Sequence, residues 1–204
     1  MTILSVNKTR ESDGRICARF LFEAGENCLI FSFQVIFMNR KARHLAHGAL
    51  IAALYVALTH AQNLLLPNSA TMAIQFRLSE ALCILAFFTP AAIPGLSVGC
   101  LLFNLTSAGV LPLDPVVGTL ATFLAALMMY LTRNIRVGKL PLLGLTMPAL
   151  FNALLVGWEL SVYVGNTFLI NALFVAIGEL AVLLIPGTAL YFGIRNRRLE
   201  HLLG

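Results

Sequence analysis

The stretch "FRLSEALCILAFFTPAAIPG", residues 76–95, decides the fold. Arg77 and Glu80 stand at the mouth of a long apolar run, and Pro90 and Pro94 break that run in its middle. From 81 to 113 the chain holds no Asp, Glu, Lys or Arg. The run is continuous and not alternating, so it does not read as a half-buried strand or a barrel strand. About 20 apolar residues, or about 17 at the short end, cross a bilayer as a helix. The prolines therefore read as the turn of a tight helical hairpin, with the charged pair at its far mouth.

The same pattern recurs along the chain. Residues 115–132, 140–158, 160–178 and 180–194 also lack Asp, Glu, Lys and Arg. Of 204 residues, 59% are hydrophobic and 11% charged, and the mean hydropathy is +0.87. A soluble domain carries about a quarter charged residues, so this chain cannot cover a water-facing globule and belongs to the membrane class. The net charge of +5 and the pI near 9.3 come from basic residues that flank the apolar runs. Membrane topology explains them, and no interleaving of aromatic and basic residues points to nucleic acid. The cysteines, Cys17, Cys28, Cys83 and Cys100, form no CxxC pair, and packing is the simplest role for them.

The expected fold is an all-α membrane protein of six transmembrane helices, at about 44–65, 76–89, 91–108, 115–133, 140–162 and 168–193. Turn residues separate them: Pro67-Asn68, Pro90 to Pro94-Gly95, Pro112 to Pro115, Gly138 to Pro141, and Gly165-Asn166. Basic clusters precede the first span and follow the fourth and sixth. All three share the cytosolic side only if the short second span crosses. Both chain ends are then cytosolic, and of the ten Lys and Arg after Met38 only Arg77 lies outside. Residues 1–37 differ in composition. They read as a non-native or loosely ordered extension, with 38–204 as the membrane domain and Met38 as its natural start.

Two sets of residues are candidates for function. Ala49, Ala53, Ala57 and Ala61 recur every four residues on the first span, and such a stripe lets another helix approach closely in lipid. It serves either internal packing or a partner. Charged groups within a membrane cost about 2.5–3.5 kcal/mol each at its centre. Glu159 and Glu179 are the clearest cases. Asn152 shares a face with Glu159, Asn171 lies near the start of the last span, and Asn104 and Asp114 flank an outer turn. With Arg77 and Glu80 they crowd the outer half of the bundle and predict a polar pocket open to the outside. Each could instead tie helices together. Trp158, Tyr163 and Phe168 suit an interfacial belt, and Trp158 could also stack on a flat ligand.

No Walker A, GxGxxG, GxSxG or HExxH motif occurs. His44 and His47 have no carboxylate or Cys beside them, so no metal site is expected. Neither an enzymatic activity nor a cofactor is expected.

The segments "FRLSEAL", "AAIPGLSVGCLLFNL", "LDPVVGTLATFLAAL", "FNALLVG" and "NALFVAIGEL" resemble the queuosine-precursor transporter family, QueT, in order and from about residue 40 to 195. The extension at 1–37 lies outside the family pattern. The resemblance implies the substrate-binding S component of an energy-coupling factor (ECF) transporter. Such a component is a multi-pass protein of the cell membrane that works with a transmembrane coupling protein and two cytosolic ATPases. It implies that Ala49, Ala53 and Ala57 dock on the coupling protein, and that the solute is queuine or another 7-deazaguanine. Such a base offers adjacent N–H donors to a carboxylate, a carbonyl to an Asn amide and a flat face to an aromatic ring. An aminomethyl group would add a cation for a second carboxylate. The other readings are an S component for another flat solute such as riboflavin, a non-transporting membrane assembly protein, and a small intramembrane enzyme.

Overall fold

The computed structural model describes residues 40–66, 76–107, 110–136, 138, 140–165 and 167–197. The expectation for residues 1–37 lies outside them. The chain divides into two units, 1–43 and 44–204. Of the first, only residues 40–43 are described, and the helix packing belongs to the second.

The regular elements among the described residues are all helices. α1 is Arg40–Leu65, and a 3-10 helix follows at Leu78–Phe87. α2 is Ala92–Thr106 and α3 is Asp114–Thr132. A single turn, α4 (Leu142–Leu145), leads into α5, Met147–Tyr163. α6 is Phe168–Val182, and a π turn at Leu183–Gly187 joins it to α7, Thr188–Asn196. Pro186 lies within that turn. Proline has no N–H to give the α-helical ladder, and a π bulge is one way a helix passes such a residue.

Four stretches are long and apolar enough to cross a membrane: Lys41–Leu65, Asp114–Thr132, Leu142–Tyr163 and Phe168–Asn196. The second and third expected spans correspond to shorter apolar helices, Leu78–Phe87 and Ala92–Thr106. The chain offsets the shortness of the first of these by its winding. A 3-10 helix rises about 2.0 Å per residue against 1.5 Å in an α-helix, so its ten residues extend about 20 Å.

The burial pattern is inverted relative to a water-soluble domain. All four acidic residues in the described ranges, Glu80, Asp114, Glu159 and Glu179, are at most 2% exposed. Leu54, Leu58, Leu120, Phe123, Leu154 and Ile177 stand outward. An apolar exterior, with the acidic residues drawn inside among a largely apolar core, suits lipid as the solvent.

Small residues bring the helices together. A Cβ on Gly95 would come 2.6 Å from the Gly48 carbonyl, and one on Gly99 would come 2.8 Å from Tyr55 Cβ. α1 and α2 therefore touch through backbone, as close crossings in a membrane require. α5 and α6 meet likewise at Gly157, where a Cβ would lie 2.8 Å from Ala172 Cα. α3 packs on both α2 and α5. The 3-10 helix is wrapped by these elements, and all its residues except Leu78 are buried.

Candidate functional site

The 3-10 helix brings the opening motif inside the protein. Arg77 and Glu80, expected at an outer mouth, are 3% and 1% exposed. Gln62 of α1 holds the start of this helix: its Oε1 accepts from Leu78 N at 2.7 Å and its Nε2 donates to the Phe76 carbonyl. A helix start leaves backbone N–H groups without intrahelical partners, and Gln62 satisfies one of them. In a 3-10 helix residues three apart eclipse each other. Cys83 therefore sits over Glu80, and its thiol donates to Glu80 Oε2 at 3.0 Å. Tyr55 of α1 donates to the other oxygen, Oε1, at 2.6 Å. Thr59 donates to the Tyr55 carbonyl at 2.7 Å and lies 2.7 Å from Ser79 Oγ. With its one proton used, Thr59 accepts from Ser79.

Arg77 reaches across to α3, where its Nη2 lies 3.3 Å from Asp114 Oδ2. Asn104 of α2 donates to the Asp114 carbonyl at 2.9 Å. Gly118, one turn along α3, leaves room for all three. A Cβ there would lie 3.0 Å from Asn104 Nδ2, 3.2 Å from Asp114 Oδ1 and 3.8 Å from Arg77 Nη1.

α5 and α6 supply the opposite wall at two levels. At one, Asn152 Nδ2 donates to Glu179 Oε1 at 3.0 Å. The other follows from the Gly157–Ala172 contact between these antiparallel helices. Two residues onward in α5 and one back in α6 stand Glu159 and Asn171, both wholly buried. The two levels are two helical turns apart, about 11 Å at 1.5 Å per residue. Arg77, Asp114 and Asn104 are bonded to one another, Asn152 is bonded to Glu179, and Glu159 and Asn171 stand with them in the buried interior.

These groups hold polar atoms without partners. They are both oxygens of Glu159, both amide atoms of Asn171, Glu179 Oε2, Asp114 Oδ1 and Asn104 Oδ1. Buried polar atoms are otherwise bonded almost without exception, and an unsatisfied one costs about 1–3 kcal/mol. These unpartnered atoms leave open hydrogen-bonding capacity on one set of buried side chains. Among the described residues no cluster of His, Cys, Asp and Glu is arranged for a metal ion.

The family model for the QueT transporter matches residues 45–196, most of the chain. The chain belongs to the QueT transporter family. It is therefore a multi-pass membrane protein with a transport role for a small-molecule solute. No curated protein and no solved structure shows a significant match to it.

In this QueT-family chain eight of the nine expected solute-site residues fall in the buried group: Arg77, Glu80, Asn104, Asp114, Asn152, Glu159, Asn171 and Glu179. Trp158 does not. It is 49% exposed, as its place one residue, or about 100°, round the helix from Glu159 requires. Tyr163 and Phe168 are exposed at the same end, as a belt would be. Ala49, Ala53 and Ala57 all lie on the exposed side of α1, whereas Gly48, Ala52, Tyr55, Thr59 and Gln62 form its buried side. Sequence reasoning missed Tyr55, Thr59 and Gln62. Their spacing of four and three residues was the available signal, since it puts three hydrogen-bonding side chains on one face of an apolar helix. It also assigned Cys83 to packing alone.

Proposed function

We propose that the chain is the S component of an ECF importer that takes up a queuosine precursor of the 7-deazaguanine type. The observation that carries this reading is Glu159, a wholly buried carboxylate with neither oxygen bonded, level with an equally unpartnered Asn171 in a QueT-family chain. A carboxylate with two free oxygens matches the adjacent N–H donors on the guanine edge in bidentate fashion. Asn171 can donate its amide to the base carbonyl and accept from a ring N–H. Arg77 holds Asp114 beside this edge.

In this reading all six apolar segments cross the cell membrane, with both chain ends in the cytosol. The solute enters at the end where Glu159 and Asn171 lie. The exposed stripe of Ala49, Ala53 and Ala57 receives a helix of the coupling protein, and two cytosolic ATPases supply the energy.

Calorimetric titration of the detergent-solubilised chain with queuine, 7-aminomethyl-7-deazaguanine and riboflavin tests the assignment. Saturable binding of the deazaguanines and none of riboflavin is expected. Riboflavin binding without deazaguanine binding would overturn the substrate class, and no binding of any of them would overturn the S-component reading for this class.

A further inference from the structure

A second polar feature lies at the end of the 3-10 helix opposite Arg77. A cleft of about 160 Å³ opens there between the close of that helix, the turn after α3, and α7. One wall is aromatic: the Phe87 and Phe88 ring centroids lie 6.0 and 5.4 Å from that of Tyr191. The other wall is Arg133, Asn134 and Arg136. Arg133 is held in place, with its guanidinium carbon 3.8 Å from the centre of the Tyr130 ring and its Nη1 donating to the Tyr130 carbonyl at 3.3 Å. That bond uses one of the five N–H donors of an arginine. Arg136 is exposed and makes no hydrogen bond or ion pair among the described residues. Tyr191 is 2% exposed and accepts from Arg195 Nη1 at 3.0 Å, so its own proton remains to be donated. None of the four acidic residues in the described ranges lines the cleft. Two arginines, a phenol and an amide around one hollow, with none of these carboxylates among them, suit an anion.

We propose that this cleft binds the phosphate headgroup of an anionic membrane lipid. The planar fork of an arginine bonds two phosphate oxygens at once, and Tyr191 and Asn134 can donate to the others. The cleft lies where the 3-10 helix and α3 end, which is the depth of a lipid phosphate. Within two residues of its lining, Leu131, Ile135, Leu142 and Leu143 are exposed and give acyl chains a surface beside the headgroup. In the proposed topology this end is cytosolic, the side on which basic pockets between helices take anionic headgroups. A zwitterionic headgroup would set its own cation against two arginines. Positive charge that served topology alone would need neither a cleft nor a ring to hold it. This site is separate from the buried solute residues and is independent of which solute they take.

The test sets phosphatidylglycerol against phosphatidylcholine in competition for the full chain in a neutral detergent, with native mass spectrometry counting each lipid bound. Phosphatidylglycerol should win by about ten- to thirty-fold, the effect of two basic residues on one anionic headgroup. The double variant Arg133→Gln with Arg136→Gln should lose that preference. Lys41→Gln with Arg197→Gln removes the same charge at exposed positions outside the cleft and should keep it. Equal binding of the two lipids, or a preference that survives the double cleft variant, would overturn the proposal. A preference lost equally in the Lys41 and Arg197 pair would also overturn it, as general charge attraction. Should the double cleft variant fail to fold, Arg136→Gln alone decides, since that side chain is exposed. A preference lowered several-fold in it supports the site, and an unchanged one overturns it. Inorganic phosphate that displaces phosphatidylglycerol at equal concentration would overturn lipid as the occupant and assign a free anion instead.

Discussion

Arg77 and Asp114, which lie 37 residues apart in the sequence, meet inside the protein with Nη2 3.3 Å from Oδ2. The pair ties the start of the 3-10 helix to the first residue of α3 and sets one wall of the proposed solute site. Removing one member leaves the other as a buried charge without its counter-ion. Arg77→Met should therefore lower stability by about 3–5 kcal/mol. The double variant Arg77→Met with Asp114→Leu should recover most of that loss, because an apolar pair of similar volume has no charge to desolvate. Thermal unfolding in detergent measures both. Equal losses in the single and double variants would mean that the ion pair itself contributes nothing.

The register between α5 and α6 rests on Gly157. Its missing Cβ would lie 2.8 Å from Ala172 Cα, a backbone atom that cannot rotate away. Gly157→Ala should cost about 1–3 kcal/mol by overpacking. It should also weaken solute binding, since the same register sets the level of Glu159 along α5 against that of Asn171 along α6. Gly193 supplies the control. Nothing lies within 4 Å of a Cβ there, so Gly193→Ala should be neutral or stabilising by up to about 1 kcal/mol. A melting temperature unchanged in Gly157→Ala would contradict the close contact.

Gln62 bonds both Leu78 N and the Phe76 carbonyl. Gln62→Leu should leave two backbone groups unsatisfied at about 1–3 kcal/mol each. Faster amide hydrogen exchange at Leu78 and its neighbours is the expected signature. Exchange matching the unaltered chain would show that the 3-10 helix needs no such anchor.

Much of this architecture was legible in the sequence because a membrane makes charge expensive. Long uncharged runs marked the helices, and the few acidic residues inside them, Glu159 and Glu179, pointed to the buried polar side chains. What was not legible depended on winding and on the angle around each helix. Nothing in "LSEALCILAF" announces a 3-10 helix, so neither the burial of Arg77 and Glu80 nor the stacking of Cys83 on Glu80 could be foreseen. Trp158 was grouped with Glu159 by its level along α5, and its angle turns it outward. On α1 the alanine repeat drew attention away from Tyr55, Thr59 and Gln62 on the opposite side.

The exposed side of α1 gives a prediction that separates binding from transport. Ala53 is exposed, so Ala53→Leu should change stability by no more than about 0.5 kcal/mol. Solute affinity should be unchanged, and uptake in cells that also express the coupling protein and ATPases should fail. Uptake at the level of the unaltered chain would show that this stripe is not where a partner helix sits.

The central claim is that Glu159 reads the edge of a deazaguanine. Titration calorimetry of queuine into the unaltered chain and into Glu159→Gln tests it most directly. The variant keeps the shape of the side chain and loses its charge, so the fold should persist. The account predicts saturable one-to-one binding to the unaltered chain and an affinity about ten- to a hundred-fold weaker in Glu159→Gln, at 1.4 kcal/mol per factor of ten. The same affinity in both proteins would contradict it.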